Sequence, residues 1–147
     1  GIAKGMKTLK KQNRVYVLMG DGEQQEGSIW EAVMAASHFK LDNLCAVIDC
    51  NGLQIDGAVE EILNINPIAD KYKAFGWNVI SIDGHNLKEI DDAYSKAKLE
   101  KNNPTVIIAK TVKGKGVSFM ENKADWHGKA PTEEQLLQAV AEIDKTI

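Results

Sequence analysis

Val15-Tyr16-Val17-Leu18-Met19 runs straight into Gly20-Asp21-Gly22-Glu23-Gln24-Gln25-Glu26-Gly27, and a helical pattern follows over Ser28–Lys40. An unbroken apolar run rich in Val, a glycine-punctuated polar turn and then a helix is the first half of a βαβ unit. The second half follows at once. Leu44–Asp49 is another apolar run, and it ends in Asp49-Cys50-Asn51-Gly52-Leu53-Gln54-Ile55-Asp56-Gly57. Two further runs, Trp77–Ile82 and Thr105–Ala109, have the same continuous character. Continuous rather than alternating apolar strands are expected where both faces of a parallel sheet are covered.

Helical signals lie between the strands. Trp30, Val33, Met34 and Ser37 recur at helical spacing in the first helix, with Trp30 expected in the core, as is Trp77. Asn66-Pro67 predicts an N-cap followed by proline at the first helical position, opening a helix to about Phe75. Asn86 predicts a capped helix with Leu87, Ile90, Tyr94 and Ala97 as its apolar stripe and Glu89 at the third position. Thr132 and Gln135 form a capping box for a last helix expected to bury Leu136, Val140 and Ile143. The expected fold is therefore a doubly wound, mostly parallel α/β sheet with helices on both faces.

The 147 residues fit one domain, and no internal repeat or low-complexity segment interrupts them. Gly1–Lys11 reads as the end of a helix with Ile2, Met6 and Leu9 apolar and no capping signal at its start. The chain is thus expected to begin inside an element, as a single partial domain over 1–147 that is incomplete at its N-terminus. A net charge of -3 and a pI near 5.6 give no basic surface for nucleic acid. No apolar run reaches membrane-spanning length, and no secretory leader is recognisable. Cys45 and Cys50, five apart in one strand, point to opposite faces and cannot pair, which fits a reducing cytoplasm.

In doubly wound sheets ligands bind at the carboxyl ends of the strands. The tips at Asp21 and Asn51 are separated by one βαβ unit, so they can sit side by side. Asp21 offers an anionic oxygen and Asn51 a neutral one. A cation such as Mg²⁺ accepts so few protein oxygens when phosphate and water complete its octahedron. Gly22 lets backbone N–H groups approach a phosphate, with a helix N-terminus behind. Taken singly, Gly20-Asp21-Gly22 and Asp49-Cys50-Asn51 also read as ordinary turns; together they suggest a metal–diphosphate cradle.

These words resemble the signature of thiamine-diphosphate enzymes. Gly20–Gly27 with Trp30-Glu31-Ala32, Lys40-Leu41-Asp42-Asn43-Leu44, Gln54-Ile55-Asp56-Gly57, and Lys113-Gly114-Lys115-Gly116 leading to Trp126-His127-Gly128-Lys129 resemble transketolases in particular. One departure is Gln24, where that family more often carries leucine. The resemblance implies Asp21, Asn51 and the Leu53 carbonyl as ligands of a divalent metal (Mg²⁺, or Ca²⁺ or Mn²⁺). It implies Gly22 at the diphosphate, Ile55 near the thiazolium ring, Lys113 on the cofactor, and His127 reaching both diphosphate and substrate as the catalytic residue. Lys113 equally reads as a solvated loop lysine, and His127 as a loop histidine. Glu26 and Glu31 match an acidic network at a subunit interface, or else supply favourable charge at a helix N-terminus. His38, on a helix face, and His85, in a turn, are expected to be structural.

The resemblance further implies thiamine diphosphate as cofactor, sugar phosphates as substrates and transfer of a two-carbon ketol unit. It implies a second polypeptide or domain carrying the pyrimidine-binding half, and a dimer of the complete unit. Deoxyxylulose-phosphate synthase, the decarboxylating subunit of a 2-oxoacid dehydrogenase and a non-catalytic α/β binding module are the alternatives.

Overall fold

The computed structural model describes residues 1–145. Four strands, β1 (Val15–Gly20), β2 (Leu44–Cys50), β5 (Asn78–Asp83) and β6 (Thr105–Lys110), form a fully parallel sheet in the order β1-β2-β6-β5. A two-stranded antiparallel hairpin, β3 (Leu53–Gln54) with β4 (Gly57–Ala58), stands beyond the end of β2. The helices are α1 (Ile2–Thr8), α2 (Gly27–His38), α3 (Val59–Leu63), α4 (Ile68–Ala74), α5 (Leu87–Leu99) and α6 (Glu133–Ile143).

The period-two geometry of the central strands divides the core in two. Ala46 and Ile48 of β2 and Val106 of β6 face Val33 and Ala36 of α2, Val59 of α3, and Ile68 and Tyr72 of α4. Cys45 and Ile107 face the other way, against Ala93 and Ala97 of α5. Helices thus cover both faces of β2 and β6, as their unbroken apolar sequences predict. The two cysteines lie on opposite faces and are free, Cys50 packing against the first cluster and Cys45 lying in the second. Trp77 is buried and donates from Nε1 to the Val33 carbonyl at 2.9 Å, fixing α2 to the entry of β5.

Several expectations need correction. β1 is an edge strand that is not covered on both faces: Tyr16, Val17 and Leu18 are exposed, Leu18 to 75%. Pro67, in extended conformation after a cis Asn66-Pro67 bond, is itself the N-cap, and α4 begins at Ile68. Asn66 therefore does not cap this helix. On α5 the small residues Ala93 and Ala97 make the close contact to the sheet, whereas Leu87 is 81% exposed. On α6 the capping box is present, but Leu136, Val140 and Ile143 are exposed and only Ala139 is buried. Met34 of α2 is likewise exposed, whereas the exposure of Ile2, the first residue of α1, and of its C-cap Leu9 agrees with a sequence that identifies no partner for them within the chain. Among the described residues, no helix is long and apolar enough to cross a membrane.

Candidate functional site

The site forms where β1 and β2 end. Gly20 and Asp49 are register partners, and the Asp21 N–H donates to the Asp49 carbonyl at 3.2 Å, so the two polar tips leave the sheet together. Asp21 is buried (5% exposed). Its Oδ1 accepts the Gly22 N–H at 2.8 Å, opening a short 3-10 turn over Gly22–Gln25. Its Oδ2 accepts the Gly52 N–H at 2.6 Å. Burial raises the Asp21 carboxyl above its ordinary value, the charge of Asp49 adds to this, and the two glycine N–H groups pull against it. This is a carboxylate held short of counter-charge.

Asn51 Oδ1 accepts the Leu53 N–H at 2.9 Å, and its Nδ2 donates to Asp49 Oδ2 at 3.3 Å. Thr111 Oγ1, just past β6, donates a short hydrogen bond to Asp49 Oδ1. Asp49 thereby orients the Asn51 amide and ties the third strand end to the first two. Gly52 adopts a φ of +78°, a backbone conformation that disfavours other residues. Gly22 is needed for space: a Cβ there would sit 2.8 Å from Cβ of Gln54 and 2.9 Å from its Oε1. Gln25 Nε2 donates to Gln54 Oε1 at 2.8 Å and to the Leu63 carbonyl at 2.9 Å, binding the 3-10 turn to the hairpin and α3.

A cleft of about 1180 Å³ runs from this corner across the ends of β2, β6 and β5. Asp21, Gly52, Asp83, Lys110, Thr111 and Lys115 are among its lining residues. His85 lines it too, and its Nε2 accepts the Val112 N–H at 2.8 Å. That contact makes His85 more than a turn residue: it holds the start of the loop that carries Lys113. Burial, with the charges of Asp21 and Asp49 added, pushes the Cys50 thiol up to about 12, which disfavours its thiolate.

The fold thus brings together Asp21, Gly22, Asn51 and Leu53. Of these only Asp21 lines the cleft itself, Gly22, Asn51 and Leu53 being grouped beside it, and Ile55, Lys113 and His127 do not line it either. Ile55 is 70% exposed at the tip of the β3–β4 hairpin. Lys113 is half-buried, its carbonyl accepting the Asn122 N–H at 2.9 Å. His127 is exposed and ends a 3-10 turn over Ala124–Trp126. Glu26 is the exposed N-cap of α2, Glu31 is exposed one turn on, and His38 stacks edgewise on Phe39 at 4.8 Å. Among the described residues no three His, Cys, Asp or Glu side chains converge as a metal-binding group.

Asp49, Gln54 and the backbone partner of His85, itself expected to be structural, are the supporting features that sequence reasoning missed. Asp49 carried a faint signal, a lone acid at the end of an apolar strand. The other two act through contacts between distant segments.

A parallel α/β sheet with a buried acid, an amide and glycines at two adjacent strand tips is the architecture of a phosphate-cofactor domain. Residues 4–143 match the family described as transketolase, thiamine diphosphate binding domain, and the chain belongs to that family. Over 147 residues, all of this chain and 52% of the relative, it is 45% identical to an apulose-4-phosphate transketolase subunit from Phocaeicola vulgatus. It is 49% identical over 133 residues to 6-deoxy-6-sulfo-D-fructose transketolase subunit SqwG of Clostridium sp., covering 90% of this chain and 48% of that one. Among solved structures, transketolase from Campylobacter jejuni superposes with a TM-score of 0.86 at 34% identity, over 97% of this chain and 23% of that one. The chain therefore spans about half the length of the two relatives from Phocaeicola and Clostridium.

Proposed function

We propose that this chain holds the metal and diphosphate end of thiamine diphosphate in a transketolase, which moves a two-carbon ketol unit from a ketose phosphate to an aldose phosphate. The observation that carries this reading is the single buried carboxylate of Asp21 joining both strand-tip loops at the mouth of the cleft. The donor set fits the group: one carboxylate, the Asn51 amide and the Leu53 carbonyl are few and hard, as Mg²⁺, Ca²⁺ or Mn²⁺ accepts when phosphate oxygens and water supply the rest. A dication there would favour the charged form of Asp21 that burial opposes.

When bound, the cofactor supplies the electron sink for breaking and making the carbon–carbon bond. This chain's own residues bind and orient. Asp21, Asn51 and Leu53 hold the metal, and Gly22 lets the backbone approach the diphosphate. Ile55 would pack near the thiazolium ring, Lys113 would reach the cofactor, and His127 would contact diphosphate and substrate and take part in proton handling. Glu26 and Glu31 would join an acidic network between protomers.

A second polypeptide or domain supplies the pyrimidine-binding half, and the complete unit pairs as a dimer. The exposed apolar residues of β1, α1 and α6 support a large contact, above the ~1,000 Å² of a biological interface. The names of the Phocaeicola and Clostridium relatives describe sugars bearing an anionic group, which supports an anionic ketose as substrate.

The test is calorimetry of thiamine diphosphate binding to the complete assembly, with and without Mg²⁺. Asp21→Ala should abolish metal-dependent retention and Asn51→Ala weaken it. His127→Ala should instead lower ketol transfer more than cofactor binding. Unchanged cofactor affinity in Asp21→Ala would sink the assignment.

A further inference from the structure

A second pocket, of about 260 Å³, lies at the opposite end of the sheet, where β1 and β2 begin and α1 ends. It gathers Lys7, Lys10, Lys11, Arg14 and Lys101 against one carboxylate, Asp42, in a chain whose net charge is -3. Lys7 already serves that carboxylate, at 2.9 Å. The other cations have no further acid in the pocket to meet.

Two polar atoms of residues that line this pocket, Arg14 Nε and Asn43 Oδ1, are closed to solvent and have no partner among the described residues. Each residue is otherwise anchored. Arg14 donates from Nη2 to the Ala97 carbonyl at 2.8 Å, and Asn43 donates from Nδ2 to the Ala3 carbonyl at 2.9 Å. Buried donors and acceptors are almost always paired, so one orphan of each kind in the same pocket marks a place shaped for something else. What fits must accept from a guanidinium and several ammonium groups and also donate one hydrogen bond. The volume lies below the ~300–1,000 Å³ of sites for drug-sized ligands, which leaves room for a small anion and not for a whole cofactor.

We propose that this pocket binds a phosphate group. Its oxygens accept from Arg14 Nε–H and the ammonium groups of Lys10, Lys11 and Lys101. A P–OH, or a hydroxyl carried beside the phosphate, donates to Asn43 Oδ1. The site is separate from the cofactor cleft and does not depend on the transketolase reading.

The experiment is calorimetric titration of the full-length protein with inorganic phosphate at constant ionic strength, with glycerol 3-phosphate and chloride as further arms. Lys11→Gln/Lys101→Gln removes two of the charges and leaves the Lys7–Asp42 pair and the Arg14 anchor in place. The expected result is saturable one-site binding of phosphate, about tenfold or more weaker in that double variant. It should be unchanged in Asp21→Ala, which alters the far end of the sheet. Tighter binding of glycerol 3-phosphate identifies a carried phosphate, and equal or weaker binding the free ion. Absence of saturable binding, an equal response to chloride, or full affinity in the double variant overturns the proposal. Loss of binding in Asp21→Ala assigns the phosphate to the cofactor corner and overturns it as well.

Discussion

Asp21 Oδ2 accepts the N–H of Gly52 at 2.6 Å, although the two residues belong to loops 31 positions apart. The other oxygen of the same carboxylate holds Gly22. One buried side chain thus sets the spacing of the two tips, and a ligand there meets a corner already assembled.

Asp21→Asn tests that structural role separately from any cofactor. The amide keeps one acceptor, so one of the two glycine N–H groups must face an NH₂ group. The cofactor-free variant should lose about 1–3 kcal/mol, the usual cost of a buried polar group left unpaired. Urea unfolding should show a lower midpoint at unchanged slope. Full stability would mean that the loops hold each other without the carboxylate.

Gly22→Ala forces a methyl group to within 2.8 Å of Cβ of Gln54. Overpacking of this kind costs about 1–3 kcal/mol. Because one of the two closest contacts is with the Gln54 Cβ and the other with its Oε1, Gln54→Ala should recover only part of the loss and Gln54→Gly more of it. A double-mutant cycle on unfolding free energy reads this directly, and additive effects would place the strain elsewhere.

Tyr72 and Gln24 are both fully buried, and the Tyr72 hydroxyl donates to Gln24 Oε1 at 2.8 Å. Gln24 Nε2 in turn donates to the Gly20 carbonyl at 3.1 Å, linking α4 to the glycine turn. Tyr72→Phe should cost about 1–3 kcal/mol by stranding the amide oxygen. The pair Tyr72→Phe with Gln24→Leu should cost less than the two single changes together, since it removes both polar partners. Thermal unfolding of the four proteins checks it.

Lys7 donates to Asp42 at 2.9 Å and to the Lys40 carbonyl at 2.6 Å. Partial burial works against the Asp42 charge, but the Lys7 ammonium and the Asn102 N–H outweigh it and hold the carboxyl below its ordinary value. A lowered carboxyl contributes stability above its unfolded value and loses it as pH falls through the folded one. The gap between wild type and Lys7→Gln should therefore be about 0.5 kcal/mol at neutral pH, given the exposure of the pair. It should narrow in acid and in 1 M salt, with a remainder from the Lys40 carbonyl. A gap independent of pH would assign the whole effect to that carbonyl.

The sheet was legible because a parallel strand covered on both faces needs an unbroken apolar run. β2 and β6 meet that condition, and observed and expected strand limits differ by only a residue. The hairpin Leu53–Ala58 was not legible, since strands of two residues carry no alternation to read. The exposure of Leu18, Leu87 and Leu136 was not legible either. An apolar stripe shows that a face prefers cover, while its burial depends on what packs there. Asp21 and Asn51 could be placed together from their spacing by one βαβ unit. The Gly52 anchor, the Asp49 brace and the His85–Val112 contact depend on three-dimensional register that no local word encodes.

The strand order β1-β2-β6-β5 places the last-made of these four strands in the interior of the sheet. Among the described residues β5 has no neighbour but β6, so on a ribosome it emerges before its partner exists. Until residues 105–110 arrive, β2 presents an open edge and β5 presents two, each a template for the wrong partner. Closing the sheet is then an insertion between separated strands, the long-range kind of pairing that slows folding and exposes a nascent chain to aggregation.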